Sequence, residues 1–119
     1  MGDGDSLREE PVLSVDTVGS AVVVRLAGEL DLYNADQVRQ ALGGAVADSS
    51  SRVVIDLTQV LFVDSTVLGV LIEAHAASPD GAFRLAAPQL EVRRALLVSG
   101  LDRKLHIDDT LELALGATP

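Results

Sequence analysis

Between Arg52 and Leu57 the chain reads Arg-Val-Val-Ile-Asp-Leu, a short apolar run in which apolar and polar positions do not alternate. A strand of that kind fits a sheet covered on both faces, because every side chain then meets apolar cover whichever way it points. This segment, expected at the centre of the sheet, ties the chain to a layered fold of strands and helices. The residues around it agree. Val12 to Val18 alternates imperfectly, Gly19-Ser20 interrupts, and Ala21 to Ala27 resumes as a β-branched run, which predicts an opening hairpin. Val38, Leu42, Ala45 and Val46 then recur at helical spacing, with Asn34 and Gln37 positioned as an N-cap and its partner three residues on. A helix is expected from Ala35 to Ala47, closed by Asp48 and three serines.

The second half repeats this alternation. Leu61-Phe62-Val63 is an apolar approach to Asp64-Ser65-Thr66, and Asp64 or Ser65 is expected to cap a helix that buries positions 67, 68, 71 and 72. Pro79-Asp80-Gly81 predicts a turn into a strand over Ala82 to Ala87, and Pro88 is expected at the first position of the next helix. That helix should stop at Gly100, with Leu101 folding back near Leu96. Leu105 to Ile107 reads as a final edge strand, and Asp109 with Glu112 brackets a last short helix. The order implies one α/β domain over residues 12–116, with a mixed, mostly parallel sheet, an N-terminal hairpin and about four helices. Residues 1–11, rich in Gly, Asp and Glu, read as a disordered tail.

Charge and composition exclude several functions. Eighteen acidic residues against nine basic ones give a formal charge of −9, which opposes binding to nucleic acid or an anionic membrane. With no Trp, one Tyr and two Phe, the chain lacks a base-stacking surface. Cysteine is absent, which removes disulfides, thiol nucleophiles and thiolate metal sites. No run approaches the roughly 20 apolar residues of a membrane span, and the N-terminus lacks a signal-peptide pattern, so a cytoplasmic location is expected. His75 and His106 are too few for a metal centre and read as structural or exposed. Arg93-Arg94 and Arg103-Lys104 read as solvated bases near a helix.

Chemistry concentrates where the apolar approach meets the helix at Asp64-Ser65-Thr66. Free N–H groups and the positive dipole end at such a junction suit an anion, so a phosphorylated hydroxyl there is easily carried. Helix capping alone would also account for these residues. Gly28-Glu29-Leu30-Asp31, the strand at 52–57, Phe62-Val63-Asp64-Ser65-Thr66-Val67-Leu68-Gly69-Val70-Leu71 and Val98-Ser99-Gly100-Leu101 occur in an order that resembles the STAS domain of bacterial anti-sigma factor antagonists. The likeness covers about Val12 to Leu115. It implies that Ser65 is a phosphoacceptor beside Asp64, with Thr66 as second candidate, and that the partner is an anti-sigma factor acting as an ATP-dependent serine kinase. A separate phosphatase would reset the switch. It also implies a partner surface formed by Glu29, Asp31, Asp64, Ser65, Thr66 and Val67. Asp36 is expected only to favour the first helical turn. Val67 stands where the family pattern has glycine, and its branched side chain is expected beside the acceptor, restricting a kinase's approach.

The function implied is a non-enzymatic antagonist that binds its anti-sigma factor when unphosphorylated and is released on phosphorylation at Ser65, regulating sigma-factor-dependent transcription. The alternative that Val67 raises is an unphosphorylated STAS accessory or scaffold subunit of a transporter or signalling assembly. Catalytic and cofactor motifs are missing: there is no phosphate-binding loop, dinucleotide fingerprint or nucleophile elbow. Phe62 to Thr66 faintly resembles an aspartic-protease signature, but Thr66 stands at its glycine and a helical pattern follows at once. No cofactor is expected.

Overall fold

A computed structural model of the chain describes residues 10–49 and 51–116. β1 (Val12–Val18) and β2 (Ala21–Leu30) form the expected hairpin around Gly19, whose φ of +64° suits a two-residue turn. The chain continues through α1 (Ala35–Asp48), β3 (Val53–Val63), α2 (Ser65–Ala76), β4 (Phe83–Ala86), α3 (Leu90–Val98), a 3-10 turn at Leu101–Arg103, β5 (His106–Asp108) and α4 (Leu111–Ala114). The five strands lie in sequence order, β1 antiparallel to β2 and the rest parallel, so β3 is central.

Burial accounts for the lack of alternation in this strand. Val53, Ile55 and Leu57 pack with Val22, Val24 and Leu85 under Val38, Leu42, Leu71, Val92 and Leu96 of α1 to α3. Val54 points the other way, with Val23 and Ala86, and is covered by Ala114 of α4. Strand residues alternate between faces, and each face has its own helical cover, so the centre is mostly apolar, and the one charged residue buried in β3, Asp56, is ion-paired with Arg25 at 3.5 Å. Arg52 donates to the Ala114 carbonyl at 2.8 Å, which holds α4 against the second face. On the first face, Arg39 of α1 hydrogen bonds Glu73 of α2 at 3.0 Å. Its guanidinium pKa is raised, chiefly by that bond and Glu73's charge and then by Asp36.

Several expectations need correction. β2 and β3 run on past Ala27 and Leu57, pairing Ala27 with Gln59 and Leu30 with Val63 across two register shifts. Those irregularities break the period-2 pattern, and this hid the extension. Asn34 occupies the N-cap position of α1 without capping it, because its side chain is drawn back into the preceding turn. The apolar stripe of α2 is Val67, Val70, Leu71 and Ala74, while Leu68 is half-buried and Ile72 is 40% exposed. Packed beside α1 in the same core cluster, the helix presents its i, i+3, i+4, i+7 row. Pro88 precedes the N-cap of α3, Gln89, whose side chain donates instead to the Thr58 carbonyl at 2.7 Å. β5 starts one residue late, since Leu105 turns into the core. Thr110, not Asp109, caps α4, and Asp109 pairs with Arg93 at 3.0 Å. The end of α3 matches expectation: Gly100, at φ +78°, donates to the Leu97 carbonyl, and Leu101 is buried in the cluster that holds Leu96. Ser50 and residues 1–9 of the expected tail lie outside the described residues. Pro11 is buried, and its carbonyl accepts from the Ala27 amide at 3.0 Å.

Candidate functional site

Leu30 and Val63 are parallel partners at the ends of β2 and β3, so the segments that follow them emerge side by side. The Asp64 amide donates to the Leu30 carbonyl at 3.1 Å, fixing the start of α2 against the end of β2. Asp64 then uses both carboxylate oxygens. Oδ1 accepts from the Val67 amide at 3.0 Å and caps α2. Oδ2 accepts from the Leu32 amide at 3.0 Å, reaching across to the turn before α1. One carboxylate therefore joins the two segments that carry the candidate site.

The turn is braced from within. Asp31, half-buried, accepts from the Tyr33 amide through Oδ1 at 3.0 Å, and its own amide donates to Asn34 Oδ1 at 2.9 Å. Asn34 Nδ2 donates to the Glu29 carbonyl at 3.0 Å, so this buried side chain closes the turn that it was expected to leave in favour of capping α1. Glu29 is not in the loop at all. It is an exposed residue of β2, opposite Phe62. Asp36 pairs with Arg39 at 2.7 Å, in the first turn of α1.

Ser65 and Thr66 are both exposed, at the first two positions of α2. The structure thus brings Asp31, Asp64, Ser65 and Thr66 together, with Glu29 on the adjoining strand. Val67 does not join them. Its side chain is 0% exposed and belongs to the core, so the expectation that it stands beside the acceptor is overturned. Position 67 lies on the inner stripe of α2, whose orientation the burial of its neighbours dictates.

Two residues of the turn escaped the sequence reading. Leu32 is 61% and Tyr33 80% exposed, a large apolar pair presented beside the acidic side chains. Their signal was there, as two bulky residues in an otherwise polar connection. Phe62 and Leu61 at the end of β3 are also exposed and floor an open groove of about 480 Å³ against α3. His75 is half-buried, with its ring edge-on to Phe83 at 6.3 Å, and His106 is an exposed residue of β5. Among the described residues no group of three or more His, Cys, Asp or Glu is arranged to hold a metal ion.

A family model described as the STAS domain matches residues 13–114. The chain belongs to the STAS domain family. Over 94 residues this STAS chain is 33% identical to the anti-sigma-F factor antagonist RsfB of Mycobacterium tuberculosis, covering 78% of the chain and 77% of that relative. The crystal structure of an anti-sigma factor antagonist from Mycobacterium paratuberculosis superposes with a TM-score of 0.81 at 34% identity, covering 89% of this chain and 91% of that one. The Bacillus cell fate determinant SpoIIAA, an anti-sigma factor antagonist, is similar in two forms. The unphosphorylated form gives a TM-score of 0.70 at 26% identity, covering 86% of this chain and 91% of its own. The phosphorylated form gives 0.64 at 25%, covering 86% and 95%.

Proposed function

We propose that this STAS chain is an anti-sigma factor antagonist, a regulatory binding protein and not an enzyme. It binds an anti-sigma factor through the Asp31 turn and the start of α2, with Glu29, Asp64 and Thr66 at the margin, and it is switched at Ser65. The observation that carries this reading is the double use of Asp64, which ties the turn to the helix start that exposes Ser65. The antagonist names of its relatives and the two phosphorylation forms of SpoIIAA support it.

The chain's own part in the chemistry is that of a substrate. Ser65 Oγ attacks the γ-phosphorus of ATP held by the anti-sigma kinase, its proton passes to a base of that kinase, and ADP leaves. The added group carries about −1.5 to −2 charge onto a surface already rich in carboxylates. A partner fitted to a neutral hydroxyl and an acidic neighbourhood then meets an unmatched anion and dissociates. A phosphatase restores the hydroxyl. The cell compartment that fits such a cycle is the cytoplasm, and among the described residues no helix is long and apolar enough to cross a membrane. The scaffold alternative rested on Val67 obstructing the acceptor, and a side chain turned into the core obstructs nothing there.

The test is to incubate the protein with an anti-sigma kinase, ATP and Mg²⁺ and to measure intact mass and affinity. One phosphoryl group is expected in the wild type and none in Ser65→Ala, while Ser65→Asp should bind at least roughly tenfold more weakly. Phosphate gain undiminished in Ser65→Ala would move the acceptor elsewhere, with Thr66 next to examine.

A further inference from the structure

Asp64 is one residue from the proposed acceptor, and its two oxygens hold two different things. Oδ1 holds the first turn of α2 through the Val67 amide, and Oδ2 holds the turn that presents Leu32 and Tyr33. We propose that Asp64 is the positioning residue that couples Ser65 to this exposed apolar pair. In the unmodified chain it keeps Leu32 and Tyr33 in the conformation that docks, and a phosphoryl group on Ser65 makes it let go. This rests on the phosphorylation reading above and adds a route by which the modification reaches residues it does not touch.

Competition for donors and charge repulsion at the start of α2 drive the release. A phosphate attached at the first position of a helix is drawn back over the helix N-terminus, where N–H groups and the dipole favour it. The Val67 amide there is already held by Asp64, so two anions contend for one cluster of donors. Adjacent negative charges repel, and a carboxylate with one side open to solvent yields by rotating away. The Leu32 amide then loses its acceptor. Leu32 and Tyr33 are largely exposed, so no core packing replaces that bond, and the turn is left to its own internal bracing, to which Asp31 and Asn34 contribute. A bond to a charged acceptor is the stronger kind, so its loss should loosen the turn measurably.

The experiment uses the full chain in three forms: wild type, Asp64→Asn, and wild type with phosphoserine built in at position 65, so that no kinase is needed. Asparagine keeps a carbonyl oxygen for the Val67 amide but presents an N–H₂ group to Leu32, which separates the two duties of Asp64. By amide NMR, the Leu32 proton is expected to exchange about tenfold faster in both altered forms than in wild type. The Val67 amide should stay protected in Asp64→Asn. Asp64→Asn should also bind the anti-sigma factor more weakly although Ser65 is intact. If α2 frays in that variant, Asp64→Ser serves instead, since its hydroxyl caps the helix but is too short to reach Leu32. An unchanged Leu32 amide in the phosphoserine form overturns the coupling, as does full affinity in Asp64→Asn. If no anti-sigma factor binds any form, the functional reading fails while the Leu32 response still decides the coupling.

Discussion

Val67 is withdrawn completely into the core while its two predecessors, Ser65 and Thr66, are exposed, so one turn of α2 divides sharply between display and packing. The division predicts opposite sensitivities. Val67→Ala should cost about 2 kcal/mol of stability, from lost apolar burial and the space left behind, and a urea denaturation series would show it. Under the proposed function, the same variant should gain phosphate at Ser65 to the same extent as the wild type, because the exposed residues of the site are unchanged. At this scale the residue types of the site were legible, since a carboxylate followed by hydroxyls before a helical pattern is a recognisable junction. What each polar atom bonds to was not. Asn34 has the chemistry of a cap and sits where a cap belongs, yet it satisfies the Asp31 amide and the Glu29 carbonyl instead. Two competing local bonds are open to such a side chain, and the position of the neighbouring strand end decides between them.

At the scale of elements, α1 carries an internal weakness. Gly43 and Gly44 lie within its 14 residues, and a Cβ added at either would meet nothing within 4 Å. Glycine in a helix interior costs roughly 0.5–1 kcal/mol relative to alanine. Gly44→Ala should therefore stabilise the protein by about that amount, raising the midpoint of urea unfolding without moving the affinity for a partner at the far end of the helix. Element existence and order followed from hydrophobic period and turn residues. Element ends did not, and the extensions of β2 and β3 show why. Gly28 and Glu29 of β2 are poor strand formers on propensity, and pairing with Val60 and Phe62 of β3 across a register shift keeps them extended.

For the whole molecule, the covering of the sheet is unequal: among the described residues three helices lie on one face, and α4 alone covers Val23, Val54 and Ala86 on the other. The small cover depends on its tie to β3. Arg52→Ala removes the donor to the Ala114 carbonyl and should cost roughly 1–2 kcal/mol, seen as a lower denaturation midpoint and faster exchange of amides in α4 before the rest unfolds. The sequence by itself determined that this is one α/β domain with a central β3, a hairpin start and a capped helix carrying Asp64-Ser65-Thr66, because hydrophobic period and local hydrogen-bonding preference act over a few neighbouring residues. Only the tertiary structure decided that Val67 faces inward, that Asp64 also holds Leu32 from 32 residues away, and that Tyr33 stands exposed in the turn beside Asp31. Those outcomes depend on which strand ends adjoin in the parallel sheet, and no local preference along the chain encodes that juxtaposition.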